Sequence, residues 1–499
     1  MIFGLDGATY DIILPLVKQG ELIFFKNLLE NGVWASLETI IPPLTPGAWT
    51  SFMTGVNPGK HGLQDFLYID EEYRIRLSYR RTKTIWSVLS SLGKKVITLH
   101  VPFTYPPEPV NGIMISGFDT PSLDANFIYP QEFREILFTQ IPDYALREQV
   151  KYLDNDKGRE EFANEIFRLT DIRVRTAEFL LKNYEYDVFM VTFMGIDHMQ
   201  HWYWKFMDKT HPQYKPCDNK KFGNKIAEIY KFIDEKLVRL AEYIPDNAYI
   251  ILMSDHGAGP NYMNFYVNNL LAEMGLIKFK ENPQVKFKKL LYEIGLTPQT
   301  LSRLAMHSLF TKKIAKTSGE GRVGFVKKFG LTFNDIDWQK TYAFSYGYYG
   351  QIYINSKERF KFGIVDKYSR ERIVREIINE LNKLKDPCRK GKLLTKAWLR
   401  EEIYHGGFVE TFPDIITSFG NFGYTSSIIP FPTQKLFAPT ITFKSGEHRL
   451  NGIFGCIGPR VKRGRLHSAN ILDIAPTIFA ILGLKIPEGF DGRVLEIFE

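Results

Sequence analysis

Short apolar runs recur along the chain, and most of them stop beside a glycine, a serine or an acidic residue. A short continuous apolar run bounded by such residues is typical of a buried strand. The stretch IILMSDHGAG (250–259) shows the pattern, because its apolar residues lead directly into an acid, a histidine and two glycines. The strands predicted in this way cover residues 2–5, 96–100, 112–117, 186–193, 248–254, 414–418 and 452–457.

Segments with helical periodicity lie between these runs. The predicted helices cover residues 84–92, 160–182, 225–243 and 366–384. Near-continuous apolar strands that alternate with helices are typical of an α/β fold with a mostly parallel central sheet and helices on both faces. In such sheets ligands bind beyond the carboxyl ends of the strands, so the polar residues that follow each run are the candidates for chemistry.

Residues 263–340 interrupt this alternation. The segment is helix-like and basic, as in KFKKLLYEIG, with glycine and serine near its middle. We therefore predict one α/β core formed by residues 1–262 and 341–499, interrupted by an inserted helical cap or peripheral segment at 263–340. The run YAFSYGYYGQIYI (342–354) alternates as a β-hairpin does, and its tyrosines are expected to pack across the strands.

Composition narrows the class of protein. Of the 499 residues, 44% are hydrophobic and 24% are charged, which is usual for a soluble globular chain. The net charge of +8 favours anionic partners, but the bases are scattered along the chain. This distribution indicates a solvated basic surface and requires no nucleic-acid partner.

The cysteines and the first residues of the sequence indicate the cellular compartment in which the protein is expected. Cys217, Cys388 and Cys456 are far apart and form no CxxC pair, so neither a disulfide framework nor a thiolate zinc site is expected. The start MIFGLDGATYD lacks the basic region of a signal peptide. No apolar run approaches the ~20 residues of a membrane span. These features predict a soluble protein of the reducing cytoplasm, with no membrane span.

Oxygen and imidazole side chains lie beside several of the predicted strands, and all of them follow a strand except His448, which comes just before the strand at 452–457. They are Asp6, Asp197, His201, Asp255, His256 and His448. Asp197 and His201 are four residues apart, so a helix beginning there would place both on one face. Three Asp and three His that converge on one sheet edge suit two divalent ions, and mixed imidazole and carboxylate ligands favour Zn²⁺, with Mn²⁺ or Fe as alternatives.

Thr45 is the candidate nucleophile. It directly precedes Pro46 and the helical stretch AWTSFMTG, which is the pattern of a helix N-cap. The N-terminus of a helix attracts anions, and coordination to a metal would lower the pKa of the hydroxyl. Thr50, Ser51 and Thr54 compete by chemistry alone, but they fall inside the predicted helix, where hydroxyls usually bond back to the backbone or face packing.

Several motifs together resemble the alkaline phosphatase superfamily, and most closely its type I phosphodiesterase/nucleotide pyrophosphatase branch. In chain order they are FGLDG, PPLTPGAWTSFMTG with NPGKHG, Asp197-xxx-His201, SDHG at 254–257, GEH at 446–448 and LDIAPTIFAILGLKIP with DGR. The resemblance runs from residue 2 to about residue 494 and is broken by 263–340.

The resemblance implies a two-zinc site. One metal would be held by Asp197, His201 and His448, and the other by Asp6, Thr45, Asp255 and His256. Thr45 would attack phosphorus in line and form a phospho-threonine or nucleotidyl-threonine, which water would then hydrolyse from the opposite side.

The run after the nucleophile departs from the family pattern. Animal-type nucleotide pyrophosphatases carry Thr-Phe-Pro-Asn-His, whereas this chain has TPGAW, so Ala48 cannot supply the amide that binds a non-bridging oxygen. The backbone N–H groups of Gly47 and Ala48 are candidate substitutes. Distant bases are alternatives, namely Lys60, Arg80, Arg81 and Arg449. The sulfatase pattern Cys/Ser-x-Pro-x-Arg is absent.

These observations predict a metal-dependent phosphodiesterase or nucleotide pyrophosphatase. Its substrate would be a small anionic phosphoester, with nucleotides among the candidates. A phosphomonoesterase or a phosphoglycerate-mutase-like phosphotransferase on the same fold is the first alternative. A non-catalytic anion-binding protein is the second.

Overall fold

The computed structural model describes residues 1–300, 330–426, 429–440 and 443–498. Its strands, in chain order, are β1 (Ile2–Leu5), β2 (Val33–Glu38), β3 (Leu67–Ile69), β4 (Ile75–Leu77), β5 (Val96–Val101), β6 (Gly112–Ser116), β7 (Ile128–Tyr129), β8 (Val188–Phe193), β9 (Ile250–Met253), β10 (Gly257–Pro260), β11 (Met263–Phe265), β12 (Ala343–Ser345), β13 (Ile352–Ile354), β14 (Leu394–Leu399), β15 (Ile415–Phe419), β16 (Tyr424–Thr425), β17 (Phe437–Ala438), β18 (Gly446–Arg449), β19 (Asn451–Ile457), β20 (Gly464–Arg465) and β21 (Ala469–Asn470).

The α-helices of the described residues are α1 (Tyr10–Lys18), α2 (Ile23–Asn31), α3 (Thr45–Thr54), α4 (Pro58–His61), α5 (Ile85–Ser91), α6 (Phe133–Gln140), α7 (Asp156–Asn183), α8 (Gly195–Met207), α9 (Pro216–Phe222), α10 (Lys225–Ala241), α11 (Val267–Glu273), α12 (Pro283–Glu293), α13 (Lys367–Lys383), α14 (Arg400–Ile403) and α15 (Ile474–Ile481). Short 3₁₀ turns lie at Phe333–Asp335, Val409–Thr411 and Ile471–Asp473. The four helices predicted from periodicity are confirmed as α5, α7, α10 and α13.

The main sheet has the order β20–β2–β19–β9–β1–β8–β5–β6–β7, and β21 also pairs with β2. Its centre is parallel, because β1 pairs with β8 and β9, and β5 pairs with β8 and β6, all in the same direction. This arrangement confirms the predicted α/β fold with a mostly parallel sheet. The predicted strand at 452–457 is β19, which runs antiparallel to both β9 and β2.

Both faces of the central sheet are buried. In β8, Phe189, Val191 and Phe193 belong to one hydrophobic cluster, which includes apolar residues of α7, α8 and α10. Val188 and Met190 belong to a second cluster, which includes residues of α3, α5 and α15. Because side chains alternate along a strand, covering both faces requires the continuous apolar runs seen in the sequence.

A smaller antiparallel sheet has the order β12–β13–β15–β14. The antiparallel pairing of β12 with β13 confirms the hairpin predicted at 342–354. The predicted strand at 414–418 is β15, and it lies in this sheet instead of the parallel one. A hydrophobic run indicates a buried strand but does not indicate which sheet the strand joins, because both environments are apolar.

The predicted insertion at 263–340 begins with β11 and continues through α11 and α12. Residues 301–329 of this segment lie outside the described residues. Phe265, Leu271 and Ile277 share a hydrophobic cluster with Phe344 and Ile352 of the smaller sheet. The boundaries 263 and 340 therefore stay a prediction. In the described part of the chain, no helix is long and apolar enough to cross a bilayer.

Candidate active site

The carboxyl ends of β1, β8 and β9 deliver the first acidic residues. Asp6 directly follows β1, Asp255 comes two residues after the end of β9, and Asp197 lies in the first turn of α8, just after β8. Since β1 pairs in parallel with both neighbours, these three strand ends meet at one edge of the sheet. All three carboxylates are buried.

Gly7 makes room where β1 meets α8. Its φ of +72° lies in the left-handed region that favours glycine. A Cβ on Gly7 would lie 3.0 Å from the Asp197 Cβ and 3.1 Å from the Asp197 Oδ1. The FGLDG motif thus turns the chain sharply after Asp6 and lets a second carboxylate approach.

Helix α8 carries Asp197 and His201 one turn apart, as their spacing predicts. Asp197 Oδ1 lies 3.4 Å from His201 Nε2. His448 comes from β18, which pairs antiparallel with β10 so that His448 lies opposite Ala258. The His448 ring stacks on that of His256, with 3.6 Å between the centroids. Strand pairing therefore brings together residues that are far apart in sequence.

All three histidines present Nε2 to the centre of the site. Nδ1 of His201 lies 2.8 Å from the Gly446 carbonyl oxygen, and Nδ1 of His256 lies 3.0 Å from that of Gly257. Nδ1 of His448 lies 2.7 Å from the carbonyl oxygen of Pro43. A carbonyl oxygen only accepts, so each Nδ1 carries the proton and donates it. Nε2 is then the atom that takes a metal ion, an orientation usual for metal-binding histidines.

Thr45 lies beside this group. Its Oγ1 is 3.2 Å from His256 Nε2, and the residue is buried. The prediction that Thr45 caps the helix is wrong, since α3 begins at Thr45 and the capping position belongs to Leu44, which makes no side-chain cap. Thr45 therefore already has helical geometry, and its hydroxyl is directed to His256 instead of to the helix backbone.

The competing hydroxyls of α3 are engaged elsewhere or enclosed. Thr54 bonds back to the Thr50 carbonyl oxygen at 2.6 Å. Ser51 Oγ lies 2.9 Å from His61 Nε2, and His61 Nδ1 accepts from the Leu63 N–H. His61 thus donates from Nε2, so it cannot act as a base toward Ser51. The hydroxyl of Thr50 is buried without a hydrogen-bond partner.

Two groups of ligand atoms fit metal ions. In the first, Nε2 of His201 and Nε2 of His448 are 3.1 Å apart, and each lies 3.4 Å from Asp197 Oδ1. Atoms bound about 2.0–2.1 Å from one tetrahedral ion are separated by roughly 3.3 Å, so this triangle matches one face of such a site.

The second group surrounds His256 Nε2. Asp6 Oδ1 lies 3.5 Å from that nitrogen and Asp255 Oδ2 lies 3.3 Å from it. Both oxygens are buried and have no hydrogen-bond partner, whereas the other oxygen of each carboxylate accepts a bond, from the Trp49 indole and from the Gly7 N–H respectively. Two unpaired buried oxygens that face one imidazole fit a divalent cation.

The two groups adjoin each other, and their charges are coupled. Ligand atoms of Asp197, His256 and His448 lie within 4.8 Å of one another. Burial, with the nearby Asp255 and Asp197, raises the pKa of Asp6 well above its ordinary value. Burial raises the pKa of Asp255 to about 8, against the lowering effect of His448. Without cations the site thus holds carboxyl groups that ionise only at an energetic cost.

The imidazoles and the third carboxylate behave differently. Burial lowers the pKa of His201 to about 4, and it lowers that of His256 well below the ordinary range. Burial also opposes ionisation of Asp197, but His201 and His448 hold its pKa well below the usual value. Burial lowers the pKa of His448 too, but its bond to Asp197 and the charge of Glu447 outweigh this effect and raise it. In the metal-free site His201 and His256 are thus the neutral imidazoles and Asp197 is the ionised carboxylate, the forms that metals bind.

Of the two backbone N–H groups predicted to bind a phosphoryl oxygen, one is free and the other is already hydrogen-bonded. The Ala48 N–H donates to the Leu44 carbonyl oxygen at 2.9 Å, so it is not free for a substrate. Among the hydrogen bonds of the described residues, the Gly47 N–H has no acceptor, and a Cβ on Gly47 would lie 2.4 Å from Ile40 Cδ1. Of the two predicted groups, the Gly47 N–H is thus the one that stays free at the start of α3.

The four candidate bases are used in other contacts. Lys60 pairs with Asp491, and Arg80 lies 2.6 Å from Glu108. Arg81 lies over the rings of Tyr79 and Phe408. Arg449 donates to backbone carbonyl oxygens, including those of Phe422 and His448. In these contacts none of the four bases pairs with a ligand side chain of the metal-binding groups.

The sequence analysis missed Glu447. This buried residue directly precedes His448, and its carboxylate, His201 and His448 form a third group whose ligand atoms lie within 4.8 Å of one another. Its place in GEH, beside a predicted ligand, was the available signal. Neighbouring side chains of a strand, however, point to opposite faces, so the sequence pattern argued against Glu447 and His448 both facing one metal ion.

Comparison with known proteins gives the family of the chain. A family model described as type I phosphodiesterase / nucleotide pyrophosphatase matches residues 1–427. The chain belongs to the type I phosphodiesterase/nucleotide pyrophosphatase family. No curated protein matches it closely enough to be counted as a relative.

Solved structures of other proteins share the alkaline-phosphatase-like fold of this chain. Phosphonoacetate hydrolase from Sinorhizobium meliloti 1021, solved with phosphonoformate, superposes with a TM-score of 0.56 at 14% identity, covering 96% of this chain and 94% of that one. Human ectonucleotide pyrophosphatase/phosphodiesterase 5 gives a TM-score of 0.50 at 12% identity, with 99% and 96% covered. At these identities the likeness concerns the fold. Family membership makes the protein a phosphoester hydrolase by class.

Proposed function

We propose that the protein is a two-metal phosphodiesterase or nucleotide pyrophosphatase that works through a phospho-threonine at Thr45. The observation that supports this proposal is the paired arrangement around His256 and His448. Seven side chains predicted from the sequence lie in two adjoining groups, with Thr45 Oγ1 against one of them. The ligands would be Asp197, His201 and His448 for one ion, and Asp6, Thr45, Asp255 and His256 for the other.

The chain's own residues prepare the attack. His256 orients the Thr45 hydroxyl, and the free Gly47 N–H at the start of α3 binds a non-bridging oxygen of the phosphoryl group. The two groups would hold divalent cations, Zn²⁺, Mn²⁺ or Fe, which would lower the pKa of the attacking hydroxyl and neutralise the charge that develops on phosphorus. Thr45 Oγ1 forms its bond to phosphorus as the bond to the ester oxygen breaks, and the departing oxygen gains a proton.

Water completes the reaction in a second displacement. It attacks phosphorus from the side that the first leaving group vacated, so its hydroxyl remains on phosphorus and Thr45 recovers a proton. The site is buried, and its positions are fixed by strand ends and by α3 and α8, so little rearrangement is required between the two steps.

Charge supports diesters as the preferred substrates. Asp6, Asp197, Asp255 and Glu447 supply four carboxylates, and two divalent cations would balance their four negative charges. A site that is neutral overall suits the single charge of a phosphodiester better than the two charges of a monoester. None of the four bases considered above is directed to the site to stabilise the additional charge of a monoester.

The decisive experiment compares two chromogenic substrates on one preparation. Metal is removed with a chelator and restored as Zn²⁺ or Mn²⁺, and hydrolysis of bis-p-nitrophenyl phosphate and p-nitrophenyl phosphate is measured. We expect metal-dependent turnover with the diester faster. A faster monoester would support the phosphomonoesterase alternative. No hydrolysis, together with salt-sensitive binding of polyanions, would support the anion-binding alternative.

Thr45→Ala tests the nucleophile. We expect turnover to fall about a thousandfold or more, because the covalent step loses its attacking oxygen. The matched control is Thr50→Val, which removes a buried, unpaired hydroxyl from the same helix while keeping its shape. Turnover is measured together with the intact mass of the acid-quenched enzyme, in which wild type gains a p-nitrophenylphosphoryl adduct from the diester or a phosphoryl adduct from the monoester. Unchanged turnover in Thr45→Ala would rule out this nucleophile.

A further inference from the structure

The pocket around the first metal contains a buried carboxylate that the seven predicted ligands do not include. Glu447 Oε1 lies 3.6 Å from His448 Nε2, and its side chain is only 7% exposed. Asp197 Oδ1, His201 Nε2 and His448 Nε2 form a triangle that would supply three ligands to one ion. An ion bound to that triangle would have a fourth position to fill.

Two hydrogen bonds orient this carboxylate. The Tyr349 hydroxyl donates to Glu447 Oε1 at 3.2 Å, and the backbone N–H of His448 donates to the same oxygen, also at 3.2 Å. Tyr349 is itself fully buried beside Phe422. The carboxylate is thus held by a rigid aromatic side chain from the loop between β12 and β13 and does not move freely with the strand.

The charge of Glu447 has an unusual environment. Other buried glutamates in this fold pair with a guanidinium, as Glu165 does with Arg168 and Glu178 does with Arg239. In the described part of the chain, no Lys or Arg forms an ion pair with Glu447, and its contacts of opposite charge are imidazoles. The buried carboxylate thus contacts imidazoles and, among the described residues, no guanidinium, and a cation shared with His201 and His448 would balance its negative charge.

We propose that Glu447 is an additional ligand of the metal held by Asp197, His201 and His448. This inference rests on the proposed two-metal function and adds to it a prediction about the kind of metal. A second carboxylate makes the ligand set harder and richer in oxygen than two imidazoles and one carboxylate. Such a set favours Mn²⁺ or Fe²⁺ relative to Zn²⁺ more strongly than the seven-ligand site would.

The test measures metal binding directly, apart from turnover. Wild type, Glu447→Gln and Glu178→Gln are freed of metal and titrated with Mn²⁺ and separately with Zn²⁺ by calorimetry, with bound metal counted by elemental analysis. Glutamine keeps the size of the side chain and an oxygen that can accept from Tyr349, but it loses the charge. Glu178→Gln removes a buried carboxylate that lies in the α7–Arg239 contact.

We expect Glu447→Gln to weaken one of two Mn²⁺ sites about tenfold or more and to weaken Zn²⁺ binding less. Glu178→Gln should leave both titrations unchanged, and melting curves of the metal-free proteins check that each variant is folded. Unchanged affinity for both metals in Glu447→Gln would overturn the inference, since the carboxylate would then serve only Tyr349 and the His448 amide. Fewer than two sites in wild type would instead contradict the proposed function itself.

Discussion

Gly7 shows how a single residue sets the geometry of the site. It turns the chain at a positive φ directly after Asp6, and its missing side chain leaves space for Asp197. Substituting alanine therefore has two effects, a backbone strain that any L-residue would meet and a contact with Asp197 that occurs only here.

Gly7→Ala separates these effects when it is compared with Gly20→Ala. Gly20 also has a positive φ, of +79°, but a Cβ there would meet nothing within 4 Å. We expect each variant to lose about 1–2 kcal/mol of unfolding free energy from backbone strain, measured by urea denaturation. Only Gly7→Ala should also lose metal-dependent turnover. Equal turnover in the two variants would show that Asp197 tolerates the extra methyl group.

At this scale the sequence supplied the candidate residues, and their roles stay predictions. The structure brings Asp6, Asp197, Asp255 and His448 together, although each residue alone carried a weak signal. Glu447 was not predicted as a site residue because its position depends on a hydrogen bond from the Tyr349 hydroxyl, and Tyr349 lies 98 residues away in the chain. No local pattern records a hydrogen bond of that kind.

Helix α3 is the element that places the nucleophile, and Trp49 fixes it against β1. The indole N–H donates to Asp6 Oδ2 at 2.8 Å. A Cβ on Gly4 would lie 2.7 Å from the Trp49 ring, so the ring packs directly on the strand backbone. Trp49 thereby leaves Asp6 Oδ1 as the oxygen available to a metal.

Trp49→Phe is expected to weaken metal binding about 10–100-fold, because the carboxylate of Asp6 loses the partner that orients it. Trp86→Phe is the matched control, since Trp86 is buried in the same hydrophobic cluster and its indole N–H has no hydrogen-bond partner. Calorimetric titration with Mn²⁺ distinguishes the two. If both variants bind metal equally well, the indole bond to Asp6 has no orienting effect.

Elements were predicted more reliably than their pairing. The strands β15 and β19 were both expected from apolar runs, yet one lies in the smaller sheet and the other runs antiparallel in the main sheet. A strand that is buried on both faces has a continuous apolar run whether it lies parallel or antiparallel to its neighbours. The direction of a strand depends on the connection that leads into it and not on the strand's own sequence.

On the scale of the whole molecule, metal binding and folding are coupled. The ligands come from the start, the middle and the end of the chain, so the unfolded chain cannot hold them together. Any cation that binds only the folded protein stabilises it, by about 2.7 kcal/mol per site at a hundredfold excess over its Kd. Chelation should therefore lower the melting temperature, and added Mn²⁺ or Zn²⁺ should restore it.

This stabilisation should depend on pH. Burial raises the pKa of Asp255 in the folded, metal-free protein to about 8, from an ordinary value of 3.8 that applies in the unfolded chain. Between these values the folded state holds a proton that the unfolded state has released, so Asp255 makes the metal-free protein less stable as the pH rises from about 4 to 8. A bound cation removes this penalty. The rise in melting temperature on adding Mn²⁺ should be larger at pH 8 than at pH 6, and the opposite order would contradict the assignment.

The sequence by itself determined the class of fold, the positions of the principal strands and helices, and the family. Those features depend on local patterns, namely apolar runs, helical periodicity and short motifs at strand ends. Only the tertiary structure decided which atoms face the site, since that depends on the Nδ1–carbonyl bonds of the three histidines, on the two unpaired oxygens of Asp6 and Asp255, and on the approach of Glu447. These contacts form between segments hundreds of residues apart, and each is fixed by packing that no local segment specifies.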